Sequence, residues 1–259
     1  MLILALSLAL AVPGAHADTP PCGKMIASGN PEYPPLLWRP RDDPEHLIGA
    51  IPALLREMLA PLGVKVESRY MGSWARVLRL TRTGEIDMVA GAFSAPGRVQ
   101  HMDYVLPPII HLRSSVWVPT GRSFPYQHWQ DLKDMTGSTL IGNSFGEEFD
   151  RYARAHLTLE HVRSINQSFL MALAGRVDYV LYEQLQGQVK LTREGWKEDF
   201  EALLNPVSEE DLFLTLSRQS PCNTSDFRAQ VSNRLQVMMD TGRVQELVDE
   251  YTRRYVHGR

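Results

Sequence analysis

Apolar positions along the chain recur with two periods, and these periods alternate in the order expected of an α/β protein. A period near 3.6 residues is typical of a helix with one buried face, and alternation or a short apolar run is typical of a strand. The order strand–helix–strand–helix–strand favours a mostly parallel sheet with helices packed on it. The first segments are strands at 24–29, 64–71 and 86–93 and helices at 47–63 and 73–84.

Similar patterns continue to the C-terminus and predict a second α/β unit followed by two closing helices. The second unit begins near residue 131, and the closing helices are separated at Asp240-Thr241-Gly242. Gly and a short polar residue between two periodic segments are typical of a helix stop. The predicted segments are strands at 114–120, 138–141 and 213–219, a helix at 147–157, a helix–strand–helix run at 165–191 and helices within 224–256.

Two segments share one form, which indicates two similar lobes. Residues 80–93 and 173–184 both pass from a helix end through Gly to a charged residue, an apolar residue, Asp and an apolar strand. Asp87 and Asp178 therefore occupy equivalent helix-to-strand joints. We interpret them as structural residues, one in each lobe, and not as the paired carboxylates of a glycoside hydrolase.

An apolar stretch before the first predicted strand is typical of a secretory signal. It runs over 2–12, is broken by Pro13-Gly14 and is followed by Ala15-His16-Ala17, so we predict cleavage after Ala17. The stretch is shorter than the roughly 20 residues of a membrane span. We expect an exported protein, and a buried N-terminal helix is the alternative.

Export would place the two cysteines, Cys22 and Cys222, in an oxidising compartment. We expect them to form a disulfide, and two separate buried thiols are the alternative. Two cysteines cannot build a cysteine zinc site, and the eight histidines show neither H-x-x-x-H nor H-E-x-x-H spacing. The sequence therefore predicts no metal and no cofactor.

The charge balance argues against nucleic acid as a partner. The chain has 27 basic and 30 acidic residues and a formal net charge of -3, whereas a nucleic-acid-binding protein usually shows a basic face. A hydrophobic content of 44% is enough to fill large cores. We therefore expect a protein that does not bind nucleic acid.

Four segments resemble, in order, those of type II periplasmic solute-binding proteins of the polar amino-acid-binding branch, family 3. In the first of them, a helix-to-strand joint is followed by a turn with Pro96 and Arg98 and then by an aromatic-x-x-Pro run that ends at Pro107. The segments are WARVLRLTRTGEIDMVAGAFSAPGRVQHMDYVLPPI (74–109), GSTLIGNSFG (137–146), ALAGRVDYVLYE (172–183) and MMDTGRVQELVDEYTRRY (238–255).

The resemblance implies two α/β lobes joined by a hinge of two crossover strands, with a ligand cleft between them. It divides the chain into a signal peptide at 1–17, a first lobe at 18–118 plus 206–259, and a second lobe at 119–205. It implies a periplasmic monomer that captures a small polar ligand, an amino acid or similar zwitterion, for an ABC-type permease. The alternatives are a sensory or regulatory binding protein and an enzyme on the same fold, such as a small-carboxylate dehydratase.

The resemblance places Arg98 where the family clamps a ligand carboxylate, and Glu183 where an acid receives the ligand's amino group. A guanidinium fork can grip a carboxylate through two charge-assisted hydrogen bonds. The sequence departs from the family twice: Ala95 replaces a Thr, with Ser94 as a substitute hydroxyl, and Glu183 replaces the usual Asp. A solvated surface Arg98 and a Glu183 that only complements a helix dipole are the alternatives.

Four aromatic residues, Tyr33, Trp38, Trp74 and Phe93, are candidate walls of the cleft, because flat rings contact a ligand at low entropic cost. Tyr33 lies in EYPPLLW, which is similar to the family's aromatic-Pro-Pro loop. Trp74 begins the helix at 73–84, and Phe93 ends the strand at 86–93. For each of the four, a place in the hydrophobic core is the alternative.

The turn at 142–146, GNSFG, fits the G-x-S-x-G pattern of a hydrolase nucleophile elbow between strand and helix. A hydrolase also needs an oxyanion loop upstream and an acid and a His downstream, but the chain has no HGG-like loop and offers only His257 in a compatible order. We expect instead a ligand cup in which Asn143, Ser144 and Phe145 present N–H groups and a hydroxyl. A Ser144 nucleophile is the least favoured alternative.

Overall fold

The computed structural model describes residues 22–258, so the predicted signal peptide lies outside the described residues. The strands are β1 (Lys24–Ser28), β2 (Glu32–Tyr33), β3 (Leu37–Trp38), β4 (Lys65–Ser68), β5 (Met88–Phe93), β6 (Met102–Tyr104), β7 (Ile110–Pro119), β8 (Thr136–Leu140), β9 (Thr158–Val162), β10 (Tyr179–Glu183) and β11 (Phe200–Ser217). The helices are α1 (Ala50–Leu59), α2 (Trp74–Thr83), α3 (Pro96–Val99), α4 (Glu147–His156), α5 (Ile165–Leu173), α6 (Gln184–Glu194), α7 (Ser225–Asp240) and α8 (Arg243–His257).

Within the described residues, nine strands form one mixed sheet. Their order is β4-β1-β5-β11-β7-β10-β8-β9, and β6 pairs with β11. On one side β1 runs parallel to β4 and β5, and on the other β8 runs parallel to β9 and β10. Each side is therefore an α/β unit of its own, as the two similar sequence segments predict.

Two long antiparallel strands, β7 and β11, join these units. Their pairing extends from Phe200 opposite Pro119 to Leu212 opposite Ile110. At one end β7 pairs with β10, and at the other β11 pairs with β5. The register shifts on both sides of Pro206, which has no N–H to donate to a ladder. The fold is therefore a two-lobed α/β fold with two crossover strands, as the resemblance implies.

The hydrophobic pattern misses most of β11, from residue 200 to residue 212. The predicted strand at 213–219 begins at Phe200 in the structure. Residues 208–211 in the missed part are polar and interrupt any apolar run, and Glu209 and Asp211 lie opposite Arg113 and His111 across the sheet. Arg113 Nε lies 2.9 Å from Glu209 Oε1, and His111 Nδ1 lies 3.0 Å from Asp211 Oδ1. Cross-strand ion pairs therefore replace apolar contacts in this part of the crossover.

The two joint aspartates have matching structural roles. Asp87 accepts the backbone N–H of Ile26 at 2.8 Å, and Asp178 accepts that of Thr136 at 2.7 Å. In each case the aspartate's own N–H donates to the carbonyl of the same partner residue. Each carboxylate thus ties a helix-to-strand joint to the first strand of its own unit, which confirms the structural interpretation.

A disulfide joins Cys22 and Cys222, which are separated by 200 residues in sequence. It fixes the start of β1 to the loop before α7. The alternative of two separate thiols is therefore wrong. Within the described part of the chain, every helix is too short or too polar to span a bilayer.

Replacing both cysteines by Ser is expected to lower the free energy of unfolding by about 2–5 kcal/mol, because the disulfide closes a long loop in the unfolded chain. Urea unfolding of the oxidised protein and of the double variant measures the difference. The variant should still bind ligand, since neither cysteine is among the residues predicted to contact it. Equal unfolding midpoints would contradict the expected loop constraint.

Candidate functional site

Glu183 is a completely buried carboxylate without a hydrogen-bond partner. It ends β10 and precedes α6, and its side chain is 0% exposed. Neither carboxylate oxygen accepts a hydrogen bond from the described residues. Opposite it on β7 lies Ser114, whose buried hydroxyl also lacks a partner among them. Buried polar groups are normally paired, so this group of atoms marks a site that needs a ligand or water to complete it.

Two further polar groups approach the Glu183 carboxylate without completing a hydrogen bond. They are the Tyr33 hydroxyl and the Asn143 amide nitrogen, which are themselves buried and unpartnered within residues 22–258. Burial raises the pKa of Glu183 to about 7, while Tyr33, Asn143 and the positive charge of Arg98 act in the opposite direction. We call Tyr33, Arg98, Asn143 and Glu183 the central cluster.

Arg98 is held inside the protein by two carbonyl groups. Its side chain is 8% exposed, so the alternative of a solvated surface arginine is wrong. Nη1 donates to the carbonyl of Phe93 at 3.0 Å, and Nη2 donates to that of Gly142 at 3.1 Å. Burial lowers the pKa of Arg98, although a guanidinium remains charged in proteins. With five N–H groups, Arg98 retains donors for a further acceptor.

The two lobes meet through side chains that surround the central cluster. Trp74 Nε1 donates to Gly142 O at 3.1 Å, so this carbonyl binds both Trp74 and Arg98. Glu32 makes two further hydrogen bonds between the lobes. Its carboxylate accepts the N–H of Ile165 at 2.9 Å, and its carbonyl accepts the Tyr182 hydroxyl at 2.6 Å. The lobes are therefore closed on each other in this structure.

A cavity of about 530 Å³ opens between the lobes beside Trp74. Residues of both lobes line it, including Asn30 and Ser73 on one side and Ile141 and Arg163 on the other. Trp74 also lies beside Arg98, whose guanidinium carbon is 5.4 Å from the centre of the indole ring. Trp74 thus lies next to both this cavity and Arg98.

Three predicted site residues have other surroundings. The Phe93 side chain is buried in the large hydrophobic core, and only its carbonyl reaches Arg98. Ser94 is exposed at the turn before α3. Phe145 is 3% exposed and packs edge-on against Phe149 in the core of the second lobe. The structure therefore does not bring the side chains of Phe93, Ser94 and Phe145 to the central cluster.

The GNSFG turn is organised by an acid six residues after Ser144. The Ser144 hydroxyl donates to Asp150 Oδ2 at 2.5 Å, and the Phe145 N–H donates to Asp150 Oδ1 at 2.9 Å. Gly146 has φ 91°, and a Cβ there would collide with the carboxylate of Glu210. Both donors are engaged within the turn, so the predicted cup is corrected: only Asn143 of the three reaches the cluster.

Replacing Ser144 by Ala is expected to leave ligand affinity within about twofold and to lower the free energy of unfolding by about 1.5–3 kcal/mol, the range for a hydrogen bond to a charged group. The matched variant Asn143→Ala should weaken binding instead, because it removes an amide beside Glu183. Titration calorimetry and urea unfolding of both variants separate the two roles. A larger loss of affinity in Ser144→Ala than in Asn143→Ala would contradict this assignment.

Sequence comparison identifies the family. The model of bacterial extracellular solute-binding proteins, family 3, matches residues 25–254, so the chain belongs to this family. Its members are non-enzymatic solute-binding proteins, and the same holds for this chain. The dehydratase and Ser144 hydrolase alternatives are therefore wrong. Comparison with curated proteins found no match. Within residues 22–258, no cluster of His, Cys, Asp and Glu is arranged to hold a metal ion.

Solved structures of similar fold are two-lobed binding proteins. A putative ABC transporter binding component from Wolinella succinogenes, complexed with lysine, is 20% identical, with TM-score 0.74 over 88% of this chain and 95% of that chain. An amino acid ABC transporter substrate-binding protein from Streptococcus pneumoniae, bound to L-arginine, is 16% identical, with TM-score 0.74 over 90% and 96%. A histidine kinase sensor domain is 17% identical, with TM-score 0.74 over 88% and 95%.

Proposed function

We propose that the protein binds a small zwitterion, an amino acid or a close analogue, at the central cluster. The unpartnered carboxylate of Glu183 is the observation that supports this most directly. An ionised carboxylate buried without a partner is unfavourable, and a ligand ammonium group would supply both the charge and the missing hydrogen bonds. The Tyr33 hydroxyl and the Asn143 amide would complete the polar surroundings of the ligand.

Arg98 would bind the other end of the zwitterion. Its guanidinium is held by two carbonyl groups, and the donors that remain can bind a carboxylate. Arg98 and Glu183 act on each other electrostatically, as expected of opposite charges within one cluster. Trp74 and Tyr33 would contact the apolar part of the ligand, and the Gly142–Trp74 contact would hold the closed lobes over it.

The biological role we propose is uptake. Neighbours in fold are described as parts of amino acid ABC transporters, which supports delivery of the ligand to such a permease by a periplasmic monomer. Export would follow cleavage after Ala17, and the lobes would comprise 18–118 plus 206–259 and 119–205. A sensory role is the second candidate, because a histidine kinase sensor domain has the same fold.

A thermal-shift screen tests the proposed binding. The purified protein is heated with each amino acid and with related amines and carboxylic acids in turn. A ligand present at about 100 times its Kd stabilises the folded state by about 2.7 kcal/mol, which is a clear rise in melting temperature. The rise should be absent in Arg98→Ala. If no amino acid stabilises the wild-type protein, or if Arg98→Ala responds equally, the proposal fails.

A further inference from the structure

A second pocket, of about 290 Å³, lies between the loop that precedes α1 and the C-terminal end of α6. We call it the cationic pocket. Four cationic and two acidic side chains line it, which gives the wall a net charge of +2. The cations are Arg39, Arg41, Lys190 and Arg193, and the acids are Glu32 and Glu194.

Two of the four cations are held in place by stacking on aromatic rings. The Arg39 guanidinium carbon lies 3.9 Å from the centre of the Tyr70 ring, and Nε donates to Pro44 O at 2.7 Å. The Arg193 guanidinium carbon lies 4.4 Å from the centre of the Tyr255 ring, and Nη1 donates to Tyr255 O at 2.8 Å. Each guanidinium is therefore pre-oriented and keeps N–H groups for an acceptor.

Lys190 is the buried cation of this pocket. It is 7% exposed, and it lies three residues before Arg193 on the same face of α6. Burial lowers the pKa of Lys190, the charge of Arg193 adds to this, and Glu32 and Glu194 oppose it without hydrogen-bonding to the amine. An ammonium group so enclosed is unfavourable unless an anion compensates it.

The two acids of the pocket have partners elsewhere. One oxygen of Glu32 accepts the Ile165 N–H at 2.9 Å, and one oxygen of Glu194 accepts from the Asn166 amide at 3.3 Å. Both partners lie in the first turn of α5, which draws the carboxylates toward that helix. Both carboxylates keep their negative charge, but two acids cannot neutralise four cations, so the wall keeps its net charge of +2.

We propose that the cationic pocket is a second binding site, which takes a small, multiply charged oxyanion such as inorganic phosphate. Oxyanions accept several charge-assisted hydrogen bonds at once, and guanidinium groups match their geometry. Neither Arg98 nor Glu183 lines this pocket, so the site is distinct from the central cluster. Because its cations come from the loop before α1 and from α6, the bound anion joins the two lobes.

Calorimetric titration of inorganic phosphate into the purified protein at low ionic strength tests the proposal. Melting temperatures in potassium phosphate and in potassium chloride of equal ionic strength separate binding from screening. We expect binding of phosphate to the wild-type protein and a higher melting temperature in phosphate. Succinate, a dicarboxylate, shows whether carboxylate oxygens are accepted as well, and specific binding of either anion at this pocket supports the proposal.

Three variants test whether phosphate binds at the cationic pocket. Arg41→Gln should weaken phosphate binding roughly tenfold or more, the effect of one lost charge-assisted hydrogen bond. Lys190→Met should abolish binding and yet raise the melting temperature in chloride, since it removes a buried unpaired charge. Lys197→Gln, an equal change of charge at an exposed position, should bind normally. Equal shifts in phosphate and chloride, or equal losses in Lys197→Gln and Arg41→Gln, would overturn the proposal.

Discussion

Replacing Glu183 by Gln is expected to stabilise the ligand-free protein at pH 8 and to abolish most of its affinity for an amino acid. Burial raises the pKa of Glu183 from 4.5 to about 7 in the folded protein. The folded state therefore holds a proton that the unfolded state releases between these pH values. Stability is then lost as the pH rises through this window, by roughly 3 kcal/mol in total.

Because Gln cannot ionise, the Glu183→Gln variant does not lose stability as the pH rises through this window. Urea unfolding at pH 5 and at pH 8 should show the advantage of Glu183→Gln over wild type growing by about 2–3 kcal/mol between the two values. Glu198→Gln, the same substitution at an exposed position, is the control and should show no such change. A Glu183→Gln variant whose advantage is independent of pH would contradict a buried carboxylate without a partner.

The same substitution removes the charge that would pair with a ligand ammonium. We expect affinity to fall roughly 10- to 100-fold at pH 8, the effect of losing a hydrogen bond to a charged group. In the wild-type protein, affinity should also fall as the pH drops below about 7, because Glu183 must be ionised to bind the ammonium. Calorimetric titrations at pH 6 and pH 8 check both expectations.

Replacing Arg98 by Ala is expected to reduce affinity by roughly 100-fold or more, because the paired charge-assisted hydrogen bonds to the ligand carboxylate are lost. The fold should survive. The carbonyl of Phe93 keeps a hydrogen bond from the Tyr104 hydroxyl, and that of Gly142 keeps the one from Trp74. Calorimetric titration measures the loss, and circular dichroism checks that the variant is folded.

Arg98→Lys is the matched variant for this position. It keeps the charge but replaces the planar fork with a single ammonium group, so its affinity should lie between those of wild type and Arg98→Ala. Wild-type affinity in a folded Arg98→Ala protein would exclude the proposed carboxylate clamp.

Local sequence patterns predict a helix or strand correctly where the residues that it contacts are near in sequence. The helix at 73–84 and the strand at 86–93 are present as α2 and β5, and Gly84 ends α2 in a left-handed conformation with φ 78°. Ser73 occupies the N-cap position of α2, but its side chain makes no capping hydrogen bond. The hydrophobic pattern misses the strand β9, because exposed polar residues separate its few apolar positions.

The candidate site is predicted less completely, because its contacts join distant segments. Arg98 and Glu183 come from the resemblance, and the structure brings both into one cluster. No local pattern indicates that the carbonyl of Glu32 would accept a hydrogen bond from the hydroxyl of Tyr182, which lies 150 residues further along the chain. The G-x-S-x-G pattern predicts the turn but not the partner of Ser144. Asp150, an acid in the first turn of α4, is the available signal for that partner.

The measurement that tests the central claim most directly is a comparison of three ligands by calorimetric titration. They are the amino acid found by screening, its methyl ester without a carboxylate, and its hydroxy-acid analogue without an ammonium group. We expect the wild-type protein to bind both analogues at least roughly tenfold more weakly than the amino acid. Arg98→Ala should bind the ester and the amino acid with similar affinity. Glu183→Gln should bind the hydroxy acid and the amino acid with similar affinity. Equal affinity of the wild-type protein for all three ligands would contradict recognition of a zwitterion by Arg98 and Glu183.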